Sequence, residues 1–176
     1  MSRKCDGTKD FKIPCNCFIQ GPAGPQGPQG PQGPAGESGL SAYGGRYNDE
    51  FQFINLTIGS TEQVPLPSTM PNSNTTYSDN SITVLEDGVY EINYFMYASV
   101  KLATLITLAV RNNGTDIPST VISRLVEVDT GTIYSGSTIV TLSSGDEIDM
   151  AISALVAVGI TLGTGVNATL TLKKIN

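Results

Sequence analysis

All three thiols of this sequence lie in its first 20 residues: Cys5, Cys15 and Cys17. A thiolate can attack a substrate, ligate a metal or pair with a second thiol. The spacing C-x9-C-x-C is not a standard zinc pattern. Three ligands per chain also fall one short of a closed tetrahedral site. An odd cysteine count favours pairing between chains. The stretch "FKIPCNCF" around two of the cysteines is more apolar than its surroundings. It reads as a docking segment with Phe11, Ile13 and Phe18 as anchors. Its cysteines are expected either to knot neighbouring chains together or to bond a partner protein, the plain alternative being a reduced tail.

The rest of the chain offers little chemistry. It has no histidine, so His-based triads, HExxH sites and histidine general acid–base work are all excluded. Asp146, Glu147 and Asp149 lie close together, and oxygen ligands suit calcium. Solvated charges at a turn and a strand edge account for them more simply, and no metal or cofactor is expected. Asn55, Asn74, Asn113 and Asn167 each open an N-x-[ST] sequon, in a chain so rich in Ser, Thr and Asn that chance explains them. The net charge of -6 repels phosphate backbones, which argues against nucleic-acid binding. The start lacks the apolar core of a secretory signal. The longest apolar run, residues 154–162, is too short for a membrane-spanning helix. The expectation is a non-enzyme that contacts neither nucleic acid nor membrane.

Residues 21–39, "GPAGPQGPQGPQGPAGESG", hold glycine at every third position: Gly21, Gly24, Gly27, Gly30, Gly33, Gly36 and Gly39. Proline follows glycine in five of these triplets. This is the pattern of a collagen triple helix, in which only glycine fits where each strand crosses the common axis. Proline assists because its φ is already set. A flexible linker has no reason to keep the period unbroken. Three chains are therefore expected. So short a triple helix, ~60 Å at about 3 Å per residue, needs flanking segments to bring its chains into register.

Residues 40–176 must supply that help. Runs of β-branched and aromatic residues alternate there with turn signals every 8–12 residues. The strands expected are 51–58, 81–85, 89–100, 103–110, 120–128, 132–142, 147–153, 155–162 and 166–175, with a tight hairpin at Asn113-Gly114. Eight to ten strands and no convincing helix predict an all-β sandwich or jelly roll. Several strands are apolar on both faces. In "VYEINYFMYASV", Tyr90, Ile92, Tyr94, Met96 and Ala98 share one side, while Val89, Phe95 and Tyr97 lie on the other. "ALVAVGITL" carries no charge. A monomeric sandwich keeps one face polar, so one apolar set is expected to meet neighbouring chains. Tyr90, Tyr94, Met96, Val156 and Val158 are the candidates for that trimer interface.

These segments together resemble a known family. A collagen stretch followed by "SITVLEDGVYEINYFMYASV", "LAVRNNGTDIPST", "GSTIVTLSSGDEIDM" and "NATLTLKKIN" is similar to the collagen-like spore-surface (exosporium) glycoproteins of the BclA type. Their C-terminal heads are similar to those of complement and tumour necrosis factor proteins. The resemblance spans residues 21–176 and is most specific at "ITVLEDGVYEINY" and "IVTLSSGDEI". It implies a ten-stranded jelly-roll head that forms a homotrimer and nucleates the collagen. Family stalks are usually long and rich in glycosylated Thr, whereas this stalk has none. A cysteine segment stands where the family has a proline-rich anchoring leader.

The organisation expected is thus an anchoring segment at 1–20, a collagen stalk at 21–39 and a trimeric head at 40–176. The function expected is that of a structural filament on the spore surface, in the exosporium or outer coat. Such a protein is made in the mother cell without a signal peptide. Its N-terminal segment would hold a coat, exosporium or appendage protein, and its head would touch a host surface or carbohydrate. The alternative is a phage or cell-surface fibre whose trimeric head binds a carbohydrate or receptor.

Overall fold

Period-two alternation decides most of this chain, because every alternating run can bury one face. The structure, a computed structural model, describes residues 39–176 together with Gly24 and Gly27. Fourteen strand segments follow one another: β1 (Tyr43–Asn48), β2 (Gln52–Leu56), β3 (Thr61–Gln63), β4 (Ser68–Thr69), β5 (Thr75–Ser78), β6 (Ser81–Val84), β7 (Gly88–Val100), β8 (Thr104–Asn112), β9 (Thr115–Asp116), β10 (Ile122–Val126), β11 (Thr132–Leu142), β12 (Glu147–Ala154), β13 (Val158–Leu162) and β14 (Ala168–Lys174). One 3-10 turn, Pro118–Thr120, precedes β10. The strand count exceeds the ten expected, partly because β3, β4 and β9 are segments of two or three residues. The run 155–162 is a strand only from Val158, so Leu155, Val156 and Ala157 form a loop.

The strands make two antiparallel sheets. The first runs β2-β13-β7-β14-β1-β4, with β11 on the free side of β7; the second runs β10-β8-β12-β6-β5, with β3 on β12 and β9 on β8. Most connections leave one sheet and enter the other, which is the jelly-roll path. Two hairpins stay within a sheet. In the β8–β9 hairpin, Asn113 and Gly114 both take positive φ, 50° and 77°, as a type I′ turn demands.

Side chains pointing between the sheets form one core. β7 contributes Tyr90, Ile92, Tyr94 and Met96, and β14 adds Leu170 and Leu172. Ile106, Leu108 and Val110 of β8 and Ile148, Met150 and Ile152 of β12 face them. Each such aliphatic chain stabilises the fold by roughly 1.5–3 kcal/mol. Buried tyrosines must also place a hydroxyl. That of Tyr90 donates to the Glu86 carbonyl (2.8 Å) and that of Tyr94 to the Thr120 carbonyl (3.0 Å). Arg46 is buried too, where its Nε donates to the Leu66 carbonyl (2.7 Å) and its Nη1 to the Ser81 carbonyl (3.3 Å). Burial lowers its pKa from the ordinary arginine value.

The chain enters and leaves the head at one end, where the Lys174 amide donates to the Ala42 carbonyl (2.8 Å). β7 starts beside that end and carries 13 residues to the opposite one, a rise of about 40 Å.

Candidate assembly face

The residues singled out in the sequence divide into those the structure encloses, those it displays and those outside the described residues. Cys5, Phe11, Ile13, Cys15, Cys17 and Phe18 lie outside them, as do Gly21, Gly30, Gly33 and Gly36. Gly24 and Gly27 are exposed with nothing within 4 Å of where a Cβ would stand. Tyr90 and Met96 have no exposed surface and Tyr94 has 4%. The chain's own core encloses these three, so they have no surface to offer a neighbour. This corrects the interface expectation: β7 alternates as read, but the side that fills the core is the one expected to face outward. Val158 is likewise buried on β13, and Val156 sits in the loop at the end away from Ala42.

The outward side of β7 holds Glu91, Asn93, Phe95 and Tyr97. Register extends it across the sheet. Ile133, Ser135, Ser137 and Ile139 of β11 stand opposite Tyr97, Phe95, Asn93 and Glu91. On the other flank Thr169, Thr171 and Lys173 of β14 stand opposite Phe95, Asn93 and Glu91. Tyr47, Gly45 and Tyr43 of β1 come next. Ile139 is 63% exposed, Ile133 50% and Tyr97 42%. The face is small, hydroxylated and apolar. Its charges, Glu91 and Lys173, neutralise each other at 2.8 Å. Hydrogen bonds from Lys173 and then Asn93 hold the Glu91 carboxyl below the usual carboxylate range.

Two features make this face incomplete. The first is its edge. Among the described residues, β7 is the only strand that pairs with β11, so one side of an 11-residue strand is open. Its sequence, TIYSGSTIVTL, contains no charge and no proline, the devices that normally blunt an open edge. Near its middle, the hydroxyls of Ser119 and Thr138 meet at 2.6 Å. The second is a depression of about 300 Å3 near the Ala42 end, walled by Leu40, Tyr43, Met70, Asn93, Thr171 and Lys173 over the backbone of Gly45. Glycine at 45 leaves this space open, because a Cβ would lie 2.6 Å from Met70 Sδ and 2.9 Å from Thr171 Cγ2 and would force those side chains to shift.

The outer surface of the second sheet differs. Arg111 holds Asp149 with two bonds (Nε–Oδ1 2.8 Å, Nη2–Oδ2 2.5 Å), and Gln63 Nε2 donates to the same carboxylate at 2.8 Å. Thr107 and Ser123 pair at 2.7 Å. Its end away from Ala42 is apolar, where Leu105 stands opposite Leu125. The three acidic residues weighed for calcium are divided. Asp149 belongs to Arg111, Asp146 accepts from Asn112, Asn113 and the Ser143 amide, and Glu147 is exposed. Burial raises the Asp146 pKa, but these three hydrogen bonds outweigh it and hold the carboxyl below its usual value. Of the sequon asparagines, Asn167 is buried and its amide nitrogen donates to the Glu50 and Gly163 carbonyls.

Comparison with known proteins fits this fold. Solved structures with similar backbones include murine APRIL at pH 5.0, with a TM-score of 0.55 and 13% identity over 76% of this chain and 98% of that one. The globular domain of zebrafish complement 1qA matches at 0.50 and 14%, over 77% and 98%. Eiger TNF from S. frugiperda matches at 0.50 and 14%, over 78% and 93%. At such identity the likeness shows the fold alone. No curated protein sequence matches. The family model for the BclA C-terminal domain matches residues 45–176, which is three-quarters of the sequence, and the chain therefore belongs to the BclA C-terminal domain family.

Proposed function

We propose that this chain is a structural filament protein of the spore surface, a homotrimer built from a trimeric head, a collagen stalk and an N-terminal anchor. The single observation that carries the reading is the pairing of an unbroken Gly-X-Y repeat at 21–39 with a BclA-type head. The open β11 edge and the apolar face beside it support the trimer. Either left bare in water would be an aggregation hazard, and a ring of three heads covers both. The collagen repeat independently requires three chains. The head then aligns the chains and the stalk spaces it from the spore. Residues 1–20 hold an exosporium, coat or appendage protein through Phe11, Ile13 and Phe18, with Cys5, Cys15 and Cys17 forming interchain disulfides. The head meets a host surface or carbohydrate, with no catalysis.

Gold labelling of intact spores with antibody against residues 40–176 tests the location, and the mass of the reduced full chain tests the assembly. Surface label and three chain masses are expected. Label confined to phage particles or vegetative cells would instead favour the fibre alternative and overturn the spore reading.

A further inference from the structure

The depression spans two neighbouring rows of the sheet: its floor, Gly45, pairs through Thr171 and Asn93 with Ser137, and its wall Tyr43 lies one row nearer Ala42. Tyr43 pairs with Lys173, Lys173 with Glu91, and Glu91 with Ile139. A single row therefore runs from the wall of the depression to Ile139, the more exposed of the two outward isoleucines of β11. Within one chain the two ends of this row stand about 14 Å apart, three strand spacings. Ile139 therefore cannot fill the depression of its own chain.

We propose that Ile139 of each chain seats in the Gly45 depression of the next, closing a ring of three by a knob-and-hole contact. This rests on the homotrimer reading and specifies where its chains touch. Knob and hole sit on different strands, so the contact is heterologous, and a heterologous contact closes only in a ring. The ring is one whose axis runs along the strands, so that the three Ala42 ends lie together. Rotation about such an axis changes no residue's height, so a knob meets a hole at its own level. Ile139 satisfies this condition at the Tyr43 and Lys173 walls, one row from the Gly45 floor. Ile133, six residues further along the strand, stands about 20 Å too high. The chemistry agrees as well. Leu40 and Met70 give the depression apolar walls, and Ile139 is an aliphatic side chain 63% exposed in the single chain. Gly45 keeps the floor low enough to admit it.

The test is cross-linking in the full chain. Cys5, Cys15 and Cys17 are replaced by Ser, and Ile139→Cys is combined with Thr171→Cys, a wall residue of the depression. Mild oxidation with copper phenanthroline should yield covalent three-chain species on a non-reducing gel. The pair Ile133→Cys with Thr171→Cys should remain single chains. Light scattering of both variants before oxidation reports the non-covalent mass. Three chain masses without a 139–171 cross-link, or equal cross-linking by both pairs, would overturn the knob-and-hole contact and leave the trimer standing. A single-chain mass before oxidation would overturn both.

Discussion

Replacing Ile133 by serine removes an apolar side chain from the proposed assembly face without disturbing the core. Ile133 is 50% exposed in the single chain. Burying the exposed half of an isoleucine is worth about 1 kcal/mol, half of the usual 1.5–3 kcal/mol for the whole side chain. A ring of three buries three copies, so Ile133→Ser should weaken the trimer by about 3 kcal/mol. The concentration at which a trimer half-dissociates varies as the square root of its dissociation constant. The midpoint should therefore rise by about tenfold, since 1.4 kcal/mol is a factor of ten. The assay is a dilution series of the reduced full chain by sedimentation velocity, with enough denaturant to bring the wild-type midpoint into range. Leu85→Ser is the control, because Leu85 is 47% exposed but follows β6 in the other sheet. Equal midpoint shifts for the two variants, or no shift for Ile133→Ser, would refute the reasoning.

Three further predictions concern the head itself. Arg46→Met should lower unfolding stability by about 2–3 kcal/mol in denaturant titration, because the Leu66 and Ser81 carbonyls lose their donor inside the protein. Burial pushes Tyr134 up to about 12, against roughly 10 in the unfolded chain. The folded state thus holds a proton that the unfolded state releases, and stability should be whole below pH ~10 and fall by up to ~2–3 kcal/mol towards pH ~12. Tyr134→Phe should flatten that fall, as thermal melts at successive pH values would reveal. Gly136→Ala should cost about 2 kcal/mol, since the new Cβ would stand 2.4 Å from the Tyr94 hydroxyl and push it off the Thr120 carbonyl. Gly163→Ala, with open space around it, should melt like wild type.

The long strands were legible because their alternation and turn residues agree. "TIYSGSTIVTL" is β11 to the residue, and "VYEINYFMYASV" is β7 less its first glycine. β1 was not legible. Its sequence YGGRYN reads as a loop, having two glycines and an arginine, yet the sheet needs those glycines. A Cβ at Gly44 would meet Thr75 Oγ1 at 2.5 Å, and the carbonyl partners of Arg46 come from distant segments, the loop after β3 and the start of β6. The face of β7 was misjudged for a related reason. Both of its sides are apolar enough to be core, and periodicity says which residues travel together without saying which set turns inward. Two tyrosines in the inward set look like surface residues until their hydroxyls are seen to reach the Glu86 and Thr120 carbonyls. The depression over Gly45 has no local signal at all, since its walls come from Leu40, β1, the loop after β4, β7 and β14.

The central claim is that the head carries its own assembly face. It is tested most directly by the solution mass of residues 39–176, which include neither the cysteines nor the glycine repeat before Gly39. The account predicts three chain masses, maintained on dilution and indifferent to reductant. A single chain mass, with the full-length protein trimeric only when oxidised, would contradict it and transfer the assembly role to Cys5, Cys15 and Cys17.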